Sequence, residues 1–88
     1  MSAPVSLTEA KLFLRVEHEA EDRLIQTLID AARARVEGEV GLSLTSTSPA
    51  PLRLAVMILV MRAYERGDGD MSAAPVEGWL APYRVVRL

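Results

Sequence analysis

Hydrophobic residues recur at intervals of three and four along most of the chain, which is the spacing of one face of an α-helix. The clearest run extends from about Glu19 to Val40, where apolar residues at this spacing are separated by charged and polar residues. Its apolar stripe consists of Leu24, Ile25, Leu28, Ile29, Ala32, Val36 and Val40. Gly41 follows at once and suits the left-handed conformation that ends many helices. The pattern predicts a long amphipathic helix that stops at Gly41.

Two short helices are predicted near the ends of the chain. Ser6 and Glu9 have the spacing of a capping box, in which each side chain accepts a hydrogen bond from the other's backbone amide. This signal opens a helix from about Leu7 to Leu14. Near the C-terminus, a segment flanked by prolines predicts a second short helix from Val76 to Ala81, followed by a tail from Tyr83 to Leu88.

A further predicted helix, Leu52 to Arg66, is apolar on both sides and follows Pro51. One face carries Leu52, Ala55, Val56, Leu59 and Ala63, and the opposite face carries Leu54, Met57, Ile58 and Met61. A helix that is apolar all round has to be covered all round. It is therefore either a central core helix, or a helix whose methionine-bearing face meets another subunit, where a flexible thioether adapts well.

These elements predict an all-α fold: a small bundle of three main helices (short, long, apolar central) plus a short C-terminal helix and tail, forming a single domain over residues 1–88. We expect the core to join Leu12, Leu24, Leu28, Ile29, Ala32, Val36, Leu52, Val56 and Leu59. A chain of 88 residues buries a limited core, and it has no cysteine for a disulfide. Association with other chains is the remaining way to stabilise it.

Charge and hydropathy restrict the classes of function. The net charge is −2 and the isoelectric point is near 5.3, so no overall positive field attracts nucleic acid. The longest unbroken apolar run, Leu54 to Met61, is far shorter than the roughly twenty residues of a membrane span. Met1 to Leu7 lacks the features of a signal peptide. We expect a soluble, cytoplasmic chain that does not enter a membrane.

Catalytic and metal-binding patterns are weak. His18 is the only histidine, and its position at a helix entry is more typical of a cap than of a ligand. The segment Asp68-Gly69-Asp70 begins like a calcium loop, but Ala73 stands where glycine is needed and Trp79 where glutamate is needed. We therefore expect no catalytic residue, no cofactor and no metal site.

Four segments, taken in order, resemble a known family. They are Leu7-Thr8-Glu9-Ala10-Lys11 through Leu14-Arg15-Val16 with Glu21-Asp22, Leu24-Ile25, Leu28-Ile29 and Ala31-Ala32; Val36-Glu37 to Gly41; Pro51-Leu52 with Ala55-Val56, Leu59-Val60 and Tyr64-Glu65-Arg66; and Leu80-Ala81-Pro82-Tyr83-Arg84. Together they cover nearly the whole chain and resemble the phage head–tail connector family, also described as possible DNA packaging proteins. The loop before Pro51 is shorter than in many members.

The resemblance implies a structural subunit of a phage or prophage. Such proteins form a ring, dodecameric to match the portal, which docks under the portal of the filled capsid. The ring extends the DNA channel and receives the next head-completion or tail protein. DNA passes through without sequence-specific binding. The expected location is the head–tail junction of the virion, after assembly in the host cytoplasm.

The residues expected at the subunit or portal interface are Leu54, Met57, Ile58, Met61, Trp79, Tyr83 and Arg84. Aromatic and arginine side chains are enriched among residues that dominate binding energy. An alternative role for Trp79 and Tyr83 is to cap the domain's own core.

A small helical DNA-binding or regulatory protein is the alternative function. Against it, the loop at residues 42–50 is longer than the turn of a helix-turn-helix motif. The helix that would read bases is also apolar where polar side chains belong.

Overall fold

The computed structural model describes residues 3–67 and 70–84, and every regular element in these ranges is helical. The α-helices are α1 (Leu7–Leu14), α2 (Asp22–Val40), α3 (Ala50–Arg66) and α4 (Glu77–Leu80), with 3₁₀ turns at Ala74–Val76 and Ala81–Tyr83. The predicted all-α class is confirmed. The largest contact between helices joins α2 to α3, and α1 packs against both.

The N-terminus of α1 is fixed by the capping box that the sequence predicts. The Ser6 hydroxyl accepts a hydrogen bond from the Glu9 amide at 3.1 Å, and the Ser6 amide donates to the Glu9 carboxylate at 3.0 Å. The helix ends at Arg15, whose φ of 61° is in the left-handed region. This conformation turns the chain toward α2.

Helix α2 begins at Asp22, three residues later than the predicted Glu19. The reason is local: the Asp22 amide bonds to the Glu19 carbonyl at 3.2 Å in a tight turn, and Glu21 is the N-cap. Glu19 itself is exposed, so it makes no core contact that would favour an earlier start of the helix. Its end is as predicted, with Gly41 at a φ of 72°.

Helix α3 begins at Ala50, so Pro51 stands in the first turn, as its lack of an amide hydrogen favours. Gly67 ends the helix with a φ of 73°. The buried face of α3 consists of Leu52, Ala55, Val56, Leu59, Val60 and Ala63. This face packs against α2, which makes α3 the central helix of the bundle.

The C-terminal segment departs from the predicted single helix Val76–Ala81. It is a short α-helix between two 3₁₀ turns, each with a proline in its first positions. Pro82 therefore lies inside the closing turn instead of ending the helix. Proline lacks the amide donor that a continuous helix requires. Val76 and Leu80 are nonetheless fully buried and attach the segment to the core.

Most of the predicted core is buried, but Leu12 and Leu24 are not. Leu12 is 74% exposed and Leu24 is 48% exposed, so both assignments were wrong. Helix α1 turns Ala10 inward, and Leu12 projects from the other side of this helix. Leu24 lies at the edge of the α2 stripe, beyond the buried face. The confirmed core residues are Leu28, Ile29, Ala32, Val36, Leu52, Val56 and Leu59.

The loop between α2 and α3 contributes a core residue that the sequence pattern did not reveal. Leu44 is completely buried, and α2 holds its backbone. The Leu44 amide donates to Oε2 of Glu37 at 2.7 Å, and the Leu44 carbonyl accepts from Nη2 of Arg33 at 2.9 Å. Arg33 and Glu37 also pair with each other at 3.2 Å. Two side chains one turn apart on α2 thus fix the loop.

Candidate subunit interface

The outward face of α3 forms an apolar stripe, defined by Leu54, Met57, Ile58 and Met61. All four side chains are half-buried, whereas the residues on the opposite face of α3 are fully buried. Met57 and Ile58 also pack against the edge of the core. The chain by itself therefore covers this stripe only in part.

The packing partners of α3 explain why the stripe reaches the surface. Helices α1, α2 and α4 all contact α3, yet its fully buried residues lie on the face opposite the stripe. The described part of the chain therefore leaves the stripe only partly covered.

The other predicted interface residues lie on the C-terminal elements and not on α3. Trp79 is 42% exposed, whereas Tyr83 is half-buried and packs against the core. Arg84 forms ion pairs with Glu77 and with Glu39 on α2, and its Nη2 lies 2.8 Å from Oε2 of Glu77. In the single chain, Tyr83 and Arg84 therefore attach the C-terminal segment to the bundle.

A second apolar surface lies on α1 and includes Leu12, which the sequence pattern predicted to be a core residue. Leu12 and Phe13, 74% and 40% exposed, project from this helix. Beside them is an open groove of about 360 Å³, lined by Thr8, Lys11, Leu12, Val16 and Glu17. The helical spacing in the sequence already indicated that Leu12 is exposed, because Leu12 lies off the face that Leu7, Ala10 and Leu14 share.

A smaller cavity of about 180 Å³ lies beside α3, between its C-terminal half and the following segment. Its lining combines arginines with a hydroxyl and apolar side chains: Leu59, Arg62, Arg66, Asp70, Ser72, Ala74 and Pro75. Arg66 pairs with Asp70 at 3.8 Å. Arg62 and Arg66 are one helical turn apart, so both side chains lie on the same side of α3. This spacing is visible in the sequence, but the cavity forms only because the segment after α3 packs beside the two arginines.

The remaining candidates for chemistry show ordinary surface contacts. His18 is well exposed and lies 3.9 Å from the Glu21 carboxylate. Within residues 3–67 and 70–84, no cluster of three or more acidic or histidine side chains is arranged to hold a metal ion. No helix in the same ranges is long and apolar enough to span a membrane. The prominent surface features are the two apolar surfaces and the arginines beside one of them.

Comparison with known families gives the identification. Residues 4–78 match the family of phage gp6-like head–tail connector proteins. The chain belongs to this family. The match covers α1, α2, α3 and the start of the C-terminal segment, and it confirms the resemblance found in the sequence. No curated protein and no solved structure matches the chain.

Membership defines the general role of this connector protein. The family is structural, its place is the head–tail junction of the virion, and it assembles with portal and tail proteins. The apolar stripe lies inside the matched residues 4–78, whereas Trp79, Tyr83 and Arg84 lie beyond them. The family match thus includes one part of the predicted interface and leaves out the other.

Proposed function

We propose that this connector protein forms a homo-oligomeric ring that docks under the portal of a phage or prophage-derived particle. The ring extends the DNA channel and completes the head for tail attachment. A dodecamer matches the symmetry of the portal. The next head-completion or tail protein binds the ring's other side.

The apolar stripe on α3 is the observation that supports this proposal most strongly. Monomeric proteins seldom expose a large continuous apolar patch unless it binds something, and each side chain of the stripe keeps part of its surface accessible. Leu54, Met57, Ile58 and Met61 occupy successive turns of one helix, which is a regular surface for a neighbouring subunit or the portal. Met57 and Met61 supply adaptable contacts at such a surface.

Charge is consistent with a conduit for DNA. The chain has a net charge of −2, so the charges of identical subunits add up to a larger negative charge on the ring. Proteins that bind DNA strongly do so by neutralising phosphates with lysine and arginine. A mildly acidic wall would let the duplex pass without holding it.

Co-assembly with the cognate portal tests the function. Wild-type protein is mixed with portal rings, and complexes are separated by size and imaged by electron microscopy. We expect an added ring at one end of the portal. Because the portal can act as a template, a monomer in its absence is compatible with the proposal. Failure of folded wild-type protein to bind the portal would refute it.

The stripe is tested in the same assay by Met57→Glu and Met61→Glu. A carboxylate in a buried contact is strongly unfavourable, so we expect both variants to lose ring formation. Ala34→Glu places the same charge on an exposed position of α2 and should assemble normally. Circular dichroism checks folding. Normal rings from both folded methionine variants would remove the stripe from the interface.

A further inference from the structure

In the proposed ring, on which this inference rests, each subunit contacts its neighbours through two surfaces. A ring of more than two identical subunits is closed by a heterologous contact, in which one surface of each subunit meets a different surface of the next. The apolar stripe accounts for only one of the two surfaces. The second has to be complementary to it in shape, apolarity and charge.

The groove on α1 has the apolarity and the charge that are needed. Leu12 is the most exposed of the large hydrophobic residues, at 74%. Lys11 in the groove is paired with Asp22 at 2.7 Å, so its charge is compensated within the subunit. Glu17 forms no ion pair with any other residue in ranges 3–67 and 70–84. The groove thus presents an apolar wall beside an uncompensated carboxylate.

The edge of the α3 stripe carries a positive charge, opposite to that of Glu17 in the α1 groove. Arg62 directly follows Met61 and is one turn from Ile58, so it borders the stripe on the side of the arginine-lined cavity. It is exposed and has no ion pair with any residue in the described part of the chain. This edge is therefore an apolar surface beside an uncompensated guanidinium.

We propose that the α1 groove of one subunit receives the α3 edge of a second copy, with Leu12 against Ile58 and Met61, and Glu17 paired with Arg62. Leu12 is exposed, Ile58 and Met61 are covered only in part, and Glu17 and Arg62 have no ion pair within the described part of the single chain. Interfaces commonly have such an apolar centre with charged groups at the rim. The two surfaces differ, so the contact is heterologous and can be repeated around a ring.

A DNA phosphate is the other chemistry that could bind Arg62. The apolar neighbours Ile58 and Met61 favour a protein partner, because phosphate recognition does not bury apolar side chains. Arg62→Gln distinguishes the two outcomes. Reduced ring formation on the portal supports the subunit contact, whereas normal rings with impaired DNA retention would assign Arg62 to DNA and overturn the proposal.

Cysteine crosslinking provides the decisive test, since the native chain contains no cysteine. Leu12→Cys and Met61→Cys are made as separate single variants of the full chain, assembled on portal rings, and treated with a short bifunctional thiol reagent. We expect crosslinked dimers when the two variants are mixed and none above background with either alone. Ala34→Cys mixed with Met61→Cys is the matched control and should not crosslink.

Each result has a defined meaning. Crosslinking within either variant alone would show that like surfaces meet, and would overturn the heterologous pairing. Rings that form normally but give no mixed crosslink would overturn the pairing while leaving the ring function intact. Absence of rings even from wild-type protein would refute the proposed function, and the inference with it.

Charge exchange tests the Glu17–Arg62 pair separately. Glu17→Arg and Arg62→Glu each place like charges together, and we expect each to raise the concentration needed for half-maximal assembly about tenfold. The double variant restores an opposite-charge pair and should recover assembly to near the wild-type level. Failure of the double variant to improve on both single variants would exclude this pair.

Discussion

The Tyr64 hydroxyl on α3 donates a hydrogen bond of 2.6 Å to Oε1 of Glu21, the N-cap residue of α2. The two residues are 43 positions apart in the chain, so only the folded structure brings them together. Both belong to the segments that carry the family resemblance. Their contact joins the C-terminal half of α3 to the start of α2.

The first prediction concerns the pH dependence of this contact. The pKa of Tyr64 is raised above 10.0 by the hydrogen bond to Glu21, by burial and by the charge of Glu21. Because the folded-state pKa is above that of the unfolded chain, the stabilisation is complete below pH 10 and is lost as pH rises through the folded value.

Tyr64→Phe removes both the hydrogen bond and the titrating group. We expect this variant to be less stable than wild type from neutral pH up to pH 10, and the difference in free energy of unfolding to shrink above it. Urea unfolding of both proteins, from neutral pH to above pH 10, measures the difference. A gap that stays constant through alkaline pH would show that the hydrogen bond does not cause the effect.

The second prediction uses two leucines of the loop between α2 and α3. Leu44 is completely buried and Leu42 is 45% exposed. Leu44→Ala should lower the free energy of unfolding by about 2–5 kcal/mol, since it leaves a cavity in the core. Leu42→Ala should change it by no more than about 0.5 kcal/mol. Equal losses in chemical denaturation would contradict the described loop conformation.

The third prediction concerns the C-terminal segment. Arg84 joins Glu77 and Glu39, but its side chain is 34% exposed, so solvent weakens these pairs. Arg84→Ala should lower the free energy of unfolding by roughly 0.5–1 kcal/mol. A truncation after Ala81 also removes the core contact of Tyr83 and should be more destabilising.

The same two variants separate folding from assembly. If Arg84 acts only within the subunit, Arg84→Ala will form rings on the portal at temperatures where it remains folded. If it also contacts a neighbouring subunit or the portal, ring formation will fail in a fully folded variant. Thermal unfolding monitored before each assembly reaction gives the comparison.

The fourth prediction is that the free protein binds double-stranded DNA negligibly at physiological salt. Several of its basic side chains, Lys11, Arg33, Arg35 and Arg84 among them, are already paired with acidic groups. Electrophoretic mobility of a random duplex should be unchanged at micromolar protein. A shift that disappears as salt is raised would reveal a basic surface and contradict the prediction.

The amino-acid sequence by itself determined the local features of the fold and the family. The capping box at Ser6 and Glu9, and the left-handed cap at Gly41, depend on residues close together in the chain. The stripe of α2 likewise follows from helical spacing, and so does the two-sided apolar character of α3. These features could be predicted because their energetics are local.

Only the tertiary structure decided which surfaces are covered. Leu12 and Leu44 are equally hydrophobic, yet one is 74% exposed and the other completely buried. Leu44 is buried because the loop packs against α2, which no local pattern specifies. The Tyr64–Glu21 bond likewise depends on the packing of distant segments. The stripe residues were visible in the sequence, but only the packing of distant segments decided that the chain covers them in part.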